Sequence, residues 1–259
     1  MSIFDTFANP AKFLKLSRVL SPVILSIAIG LACIGLVLGL IISPEDYQQG
    51  HSVRIMYVHV PAAWMATVSY TFLTFMSCIA FVWRHSVADA AARAAAPIGL
   101  IMTGLALFTG ALWGKPTWGA WWVWDARLTS VLVLFFIYLG YLAVWDSVSD
   151  KAKAAKFARI VAILGFVNIP IIKFSVDWWN SLHQPASIIK ASGPSIEGSM
   201  LSALLIMIVA YMMFFFWAVL IGTENFILEA RLARQQKRHV SSLKIIDAEP
   251  PALNSKETL

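Results

Sequence analysis

The chain has 259 residues, of which 59% are hydrophobic and only 13% are charged. A water-soluble domain is about 45–50% apolar and about 25% charged, so this composition excludes a soluble globular protein. The net charge of +6 would suggest a nucleic-acid partner only if it formed a patch, and orientation in a membrane explains it better.

Six apolar runs are each long enough to cross about 30 Å of hydrocarbon as a helix, which takes about 20 residues. The first run follows Lys12, Lys15 and Arg18, but it is too long for a signal peptide and lacks a small-residue cleavage site. The predicted spans are 19–42, 61–83, 94–113, 128–147, 159–178 and 200–222. We therefore expect an all-α, polytopic integral membrane protein with six transmembrane helices.

The loop charges predict which side of the membrane each loop occupies. With the N-terminus in the cytoplasm, 15 of the 20 lysines and arginines lie on the cytoplasmic side. This distribution satisfies the positive-inside rule. Both termini are then cytoplasmic, and the outer loops are 43–60, 114–127 and 179–199. We expect a multi-pass protein of the bacterial inner membrane.

The same pattern predicts the domain organisation. Residues 1–18 form the cytoplasmic N-terminus, and residues 19–222 form the six-helix membrane domain. Residues 223–259 contain a cytoplasmic basic helix, expected to rest on anionic membrane lipid, and then a disordered tail. No GxxxxGK[ST] motif is present in the sequence, so we expect no ATPase activity from this chain.

An outer segment at 113–127 holds five of the 11 tryptophans. Pro116 suits the first turn of a short helix there. One face of such a helix, at positions i, i+3, i+4 and i+7, would carry Trp118, Trp121, Trp122 and Asp125. Trp124 falls on a neighbouring side. Because indoles offer large flat apolar faces, we interpret the segment as a platform for a broad planar ligand. An aromatic belt or a partner contact is the alternative.

Two outer histidines share a local setting, since Pro61 follows His59 and Pro185 follows His183 at a spacing of two residues. The residue before a proline is held extended, so each histidine is expected near a stiff, non-helical junction. Two imidazoles from different loops can ligate one metal from opposite sides, which suits haem iron. A zinc ion would need further ligands, and Asp125 is the only nearby carboxylate that we nominate. Each histidine alone is also compatible with a solvated interfacial residue.

Two arginines are candidates for binding an anionic group. Arg54 is the only basic residue of the first outer loop and precedes His59 by five residues. An arginine can bind a carboxylate such as a haem propionate through two parallel hydrogen bonds. Arg127 flanks the tryptophan segment, and the spacing leaves open whether it pairs with another loop or holds an anionic group.

The segment 118–125, WGAWWVWD, resembles the WWD signature of the haem-handling membrane proteins of cytochrome c biogenesis. The stretches 58–64, VHVPAAW, and 178–185, WWNSLHQP, resemble the two histidine regions of those proteins. With six spans and the motif between the third and the fourth, residues from about 19 to 222 resemble the CcmC family of the cytochrome c maturation system. The resemblance implies that His59 and His183 are axial ligands of haem b at the periplasmic face. It also implies a platform formed by Trp118, Trp121, Trp122, Trp124 and Asp125.

The resemblance further implies partners: the chaperone CcmE, which binds the haem covalently, the small subunit CcmD, and the ABC-type pair CcmA and CcmB. Two other functions remain open at this stage. A haem exporter would need polar residues at mid-membrane depth, for which Asn168 is a modest candidate. A cytochrome b-like electron carrier would place its ligands within helices, commonly as two pairs across the bilayer.

Overall fold

The structure is a computed structural model that describes residues 9–179, 181–183, 188 and 193–248. Within that part of the chain it consists of helices and their connections. The α-helices are α1 Pro10–Leu36, α2 Met56–Trp83, α3 Ser86–Trp118, α4 Ala126–Ser147, α5 Lys151–Gly165, α6 Asn168–Trp178 and α7 Gly198–Ala248. A π-helix, Val37–Ile42, extends α1, and a 3-10 helix, His51–Ile55, precedes α2.

Six helical segments among the described residues are long and apolar enough to cross a membrane. They are Pro10–Ile42, His51–Trp83, Ser86–Trp118, Ala126–Ser147, Lys151–Trp178 and Gly198–Ser241. The expectation of an all-α protein with six transmembrane helices is therefore confirmed. Most of the helices are longer than the apolar runs because polar residues continue them at one or both ends.

The connections decide which helix ends lie together. Only Arg84 and His85 join α2 to α3, so these two helices run antiparallel, and they form the most extensive helix pair of the described bundle. The start of α2 consequently lies beside the end of α3. The antiparallel hairpin of α4 with the fifth span likewise brings the end of α6 beside the start of α4. We call the end of the bundle where α3 ends and α4 begins the tryptophan end.

The fifth span is interrupted between α5 and α6. Two carbonyls near the end of α5 accept hydrogen bonds from α2: Tyr70 donates its hydroxyl to Val161 at 3.2 Å, and Thr74 donates to Ala162 at 3.1 Å. A backbone break inside a bilayer requires such partners because no water is available there. The predicted span 159–178 thus consists of two helices. Side chains of α2 donate hydrogen bonds to carbonyls just before the turn that joins them.

The last helix continues well past the apolar span. It runs without a break from Gly198 to Ala248, so the predicted boundary at 222 falls inside one helix. The division into a membrane domain and a cytoplasmic basic helix stays a prediction. Residues 1–8 and 249–259, which include most of the tail predicted to be disordered, lie outside the described residues.

Small residues permit close helix contacts in the bundle core, as is common in membrane proteins. A Cβ atom at Gly99 of α3 would overlap the phenol ring of Tyr138 on α4. That phenol donates its hydroxyl to the Ala66 carbonyl of α2 at 2.8 Å. One glycine therefore lets a single tyrosine connect three helices.

We expect the substitution Gly99→Ala to lower the thermal unfolding midpoint of the detergent-purified protein. Overpacking at this contact should cost about 1–3 kcal/mol. Gly140→Ala is the matched control, because a Cβ there meets nothing within 4 Å. The control should leave the midpoint unchanged or raise it slightly, since alanine favours helix by up to about 1 kcal/mol. Equal midpoints for the two variants would contradict the close contact.

Candidate functional site

The tryptophan segment is not a helix of its own, and the expectation of a single helical face was wrong. Trp118 is the last residue of α3, and Gly119 ends that helix in the left-handed conformation with φ 76°. Asp125 is the N-cap of α4, so residues 119–125 form an irregular connection. Pro116 consequently lies in the last turn of α3 and does not open a new helix. A glycine at the end of one helix and an aspartate at the start of the next override the helical spacing.

The indoles of the segment are spread over the connection instead of sharing one face. Trp122 and Trp124 contact each other edge to face, with ring centroids 5.4 Å apart. Trp121 and Trp124 are 56% and 75% exposed. Trp118 packs against His183, with ring centroids 4.9 Å apart. The segment thus offers exposed aromatic surface next to a histidine.

His59 lies inside α2, and the expected non-helical junction at this position was wrong. The helix begins at Met56 and continues through Pro61. A proline removes one backbone donor and disfavours the helical conformation of the preceding residue, but membrane helices tolerate it where neighbours satisfy the freed groups. The histidine is therefore fixed on a helix, one turn from its start.

The imidazole of His59 rests against the last turns of α3. Its Nδ1 lies 3.1 Å from the Thr109 hydroxyl oxygen, and its ring meets Trp113 edge to face at 5.6 Å. Trp113 in turn donates its indole N–H to the Gln49 side chain at 2.7 Å. Gly110 supplies the space, because a Cβ atom there would lie 3.0 Å from Cε1 of the ring. These contacts hold the imidazole against α3.

His183 follows α6, outside any helix, and Pro185 lies outside the described residues. Its Nδ1 is 3.1 Å from Oδ2 of Asp125. The Ser181 hydroxyl donates to the same oxygen at 2.6 Å, and the His183 backbone N–H donates to Ser181 at 3.2 Å. The other carboxylate oxygen, Oδ1, accepts the Leu128 N–H at 2.7 Å and so caps α4. One carboxylate both begins a helix and orients a histidine.

The charge states at this pair follow from burial and hydrogen bonding. Burial tends to raise the pKa of Asp125, but bonds from Ser181, Leu128 and His183 outweigh it and hold the pKa below its usual value. Burial lowers the pKa of His183, against the opposing effect of Asp125 and with a further lowering by the Arg127 charge. An ionised carboxylate therefore faces a neutral imidazole at pH 7. Since a carboxylate only accepts, Nδ1 of His183 carries the proton.

Both histidines contact the same stretch of α3. His59 touches Thr109 and Trp113, and His183 touches Trp118. A helix rises 1.5 Å per residue, so Trp113 and Trp118 are separated by only about 7.5 Å along the axis. Both residues that the sequence paired thus pack against the part of α3 that leads to the tryptophan end. Among the described residues no group of three His, Cys, Asp or Glu is arranged to hold a metal ion, so the zinc alternative gains no support.

The two candidate arginines have partners within the protein. Arg54 donates to the carbonyls of Leu40 at 3.0 Å and Ser43 at 3.1 Å, where the first span ends. Arg127, in the first turn of α4, donates to the Ser175 hydroxyl of α6 at 3.3 Å. Binding of an anionic group by these side chains stays a prediction.

The sequence interpretation missed three residues that orient the site: Gln49, Thr109 and Ser181. Thr109 lies within an apolar run and belongs to no motif, so only the packing of α2 on α3 reveals its contact with His59. Ser181 was open to detection, because a serine two residues before a histidine in a turn region commonly bonds to the local backbone.

Comparison with known protein families gives a match over residues 3–238 to the family described as "CcmC: Heme exporter protein C". The chain belongs to this family. A protein of Bradyrhizobium diazoefficiens named "Heme exporter protein C" is 45% identical over 255 residues, covering 98% of this chain and 93% of its own length. One of the same name from Haemophilus influenzae is 46% identical over 215 residues, covering 83% and 87%. The "Putative cytochrome c biosynthesis ccmC-like mitochondrial protein" of Marchantia polymorpha is 44% identical over 201 residues, covering 78% and 82%. The expected family is confirmed, and with it an involvement in haem handling.

The residues at the tryptophan end fit a haem group. A metal-ligating histidine normally donates its second ring N–H to an acceptor of the protein, which fixes the tautomer and the ring orientation. Both His59 and His183 make a side-chain hydrogen bond through Nδ1, so Nε2 is the atom that could ligate a metal. In the same region Trp122 has a buried indole N–H that lacks a hydrogen-bond partner among the described residues. Such an orphaned donor suits a site that receives a ligand.

We expect Asp125→Asn to weaken haem binding about 10- to 100-fold while leaving the fold intact, as is typical for loss of a histidine's outer partner. Asparagine caps a helix as well as aspartate, so the bond to Leu128 is kept. It cannot provide two acceptor oxygens, so the bonds from Ser181 and His183 are disrupted. Haem titration of the purified protein, followed by absorbance, measures the effect. Asp150→Asn, at the N-cap of α5, is the control and should bind haem normally. Equal affinity in the two variants would contradict the role of Asp125.

Proposed function

We propose that this protein binds haem b at the periplasmic face of the bacterial inner membrane and presents it to CcmE for covalent attachment. His59 and His183 act as the axial ligands. The observation that carries the proposal is that both imidazoles pack near the tryptophan end of α3, each with Nδ1 in a side-chain hydrogen bond. Bound haem supplies the vinyl group for the covalent bond to the chaperone. The chain itself binds the haem, orients it and releases it.

The exposed indoles form the proposed platform. Trp121 and Trp124 present apolar surface outside the bundle, and flat aromatic faces suit a planar macrocycle. Trp118 and Trp122 lie partly buried behind them. Weak aromatic contact combined with two oriented ligands allows the ring to be held in a defined pose and still be handed on. The platform thus consists of the irregular connection between α3 and α4.

The proposed orientation rests on charge. The tryptophan end carries few basic residues, whereas 15 of the 20 lie in the segments assigned to the opposite side, including the basic end of α7. This places the histidines outside and the basic helix in the cytoplasm, beside anionic lipid. CcmD and the ABC-type pair CcmA and CcmB are the proposed partners, and the pair supplies the ATP hydrolysis for which this sequence has no motif.

The proposed propionate ligands are Arg54 and Arg127. Arg127 lies two residues after Asp125, in the first turn of α4, and its charge acts on both Asp125 and His183. Arg54 binds the carbonyls at the end of the first span and lies in the 3-10 helix that leads directly into α2 and His59.

Export of haem across the membrane is the competing function, and the name of the family favours it. A conduit needs accessible polar groups at mid-membrane depth. Asn168, the candidate from the sequence, is buried and donates its side-chain N–H to the Ser130 carbonyl at 2.9 Å. Its polar group therefore joins α6 to α4. Movement of labelled haem into vesicles that contain this chain alone would favour export over presentation.

The ligand assignment predicts a low-spin, bis-histidine visible spectrum for the purified full-length protein. His59→Ala and His183→Ala should each abolish that spectrum, and added imidazole should restore it by filling the vacated position. His51→Ala is the control, because His51 is exposed and pairs with Glu45 at 2.8 Å. The control should keep the wild-type spectrum. Unchanged haem content and spectrum in the His59→Ala, His183→Ala double variant would refute the assignment.

A further inference from the structure

Thr109 favours a proton on Nδ1 of His59. Its hydroxyl oxygen lies 2.6 Å from the Leu105 carbonyl and 3.4 Å from that of Ala106, with His59 Nδ1 at 3.1 Å. A hydroxyl has one proton to donate, and a carbonyl can only accept. The shortest contact therefore takes the proton, in the back-bonding typical of threonine in membrane helices. The same oxygen then accepts a hydrogen bond from Nδ1–H of His59.

The position of the ring agrees with this tautomer. A Cβ atom at Gly110 would lie 3.0 Å from Cε1 of His59, 3.5 Å from Nδ1 and 4.0 Å from Nε2, so Nδ1 is the nitrogen nearer to α3. Protonated Nδ1 leaves a lone pair on Nε2, as metal ligation requires. His183 has the same tautomer, but its Nδ1–H faces Asp125.

The two acceptors differ in strength. Asp125 is an ionised carboxylate only 9% exposed to solvent, whereas Thr109 offers a neutral hydroxyl. Hydrogen bonds to ionised groups are about twice as strong as neutral ones. A stronger acceptor behind an imidazole makes its ligating nitrogen more basic.

We propose that Thr109 and Asp125 make the two axial positions unequal, so that His59 releases first while His183 retains the haem. The inference rests on the proposed function. Release of His59 needs no proton, because the bond between Nε2 and the iron breaks with the electron pair returning to the nitrogen. The haem would then be open to a nitrogen or sulfur ligand of an acceptor protein in place of His59. Thr109 and Asp125 are positioning residues that set the order of exchange.

The tautomer can be tested without haem. Nitrogen NMR of the 15N-histidine-labelled apo protein distinguishes a proton on Nδ1 from one on Nε2. We expect the Nδ1–H form of His59 in the wild type and in Thr109→Ser, which keeps the hydroxyl. Thr109→Val should weaken this preference and raise the share of the Nε2–H form. A wild-type spectrum with the proton of His59 on Nε2 would overturn the inference.

The order of release can be tested with carbon monoxide on the reduced, haem-loaded full chain. Carbon monoxide binds only after an axial ligand leaves, so Thr109→Val should accelerate binding about tenfold, the lower end for loss of a histidine's outer partner. Thr109→Ser should bind at the wild-type rate.

The Fe–C–O vibrations of the complex then report the ligand that remains. They should shift in Asp125→Asn and stay constant in Thr109→Val, because the remaining ligand is His183. A shift in Thr109→Val with none in Asp125→Asn would mean that His59 remains, and would overturn the proposal. Absence of a low-spin spectrum before carbon monoxide is added would instead refute the bis-histidine site itself.

Discussion

The double role of Asp125 is the constraint on which the tryptophan end depends. One carboxylate oxygen caps α4, and the other accepts hydrogen bonds from Ser181 and His183. The start of a transmembrane helix and the orientation of a candidate haem ligand are therefore fixed by the same side chain. Any shift of α4 along its axis would move His183, so the ligand geometry is tied to the helix bundle.

The other half of the site depends on α3. The short connection between α2 and α3 makes these helices antiparallel. His59, near the start of α2, therefore contacts Thr109 and Trp113 near the end of α3. The same helix ends at Trp118, which packs on His183. The single helix α3 thus contacts both histidines and fixes their positions, although they are more than 120 residues apart in the chain.

The sequence predicted the six spans because hydropathy over about 20 residues is a strong signal. It also paired His59 with His183, through their shared spacing to a proline. It failed on the form of the tryptophan segment, because the indole spacing suggested a helix that Gly119 and Asp125 interrupt. It also could not predict the contact of Thr109 with His59, since a contact between two helices produces no local pattern in the sequence. Periodicity reports local structure, whereas the partners of a ligand depend on packing between distant segments.

The central claim is that the tryptophan end presents haem for covalent transfer. Co-purification with CcmE, followed by haem staining of the denatured chaperone, measures the adduct directly. The account predicts loss of the adduct in Trp118→Ala, Trp122→Ala and Asp125→Asn at normal expression. Trp83→Ala, at the opposite end of α2 and 70% exposed, should form it normally. Wild-type adduct levels in all four variants would contradict the claim.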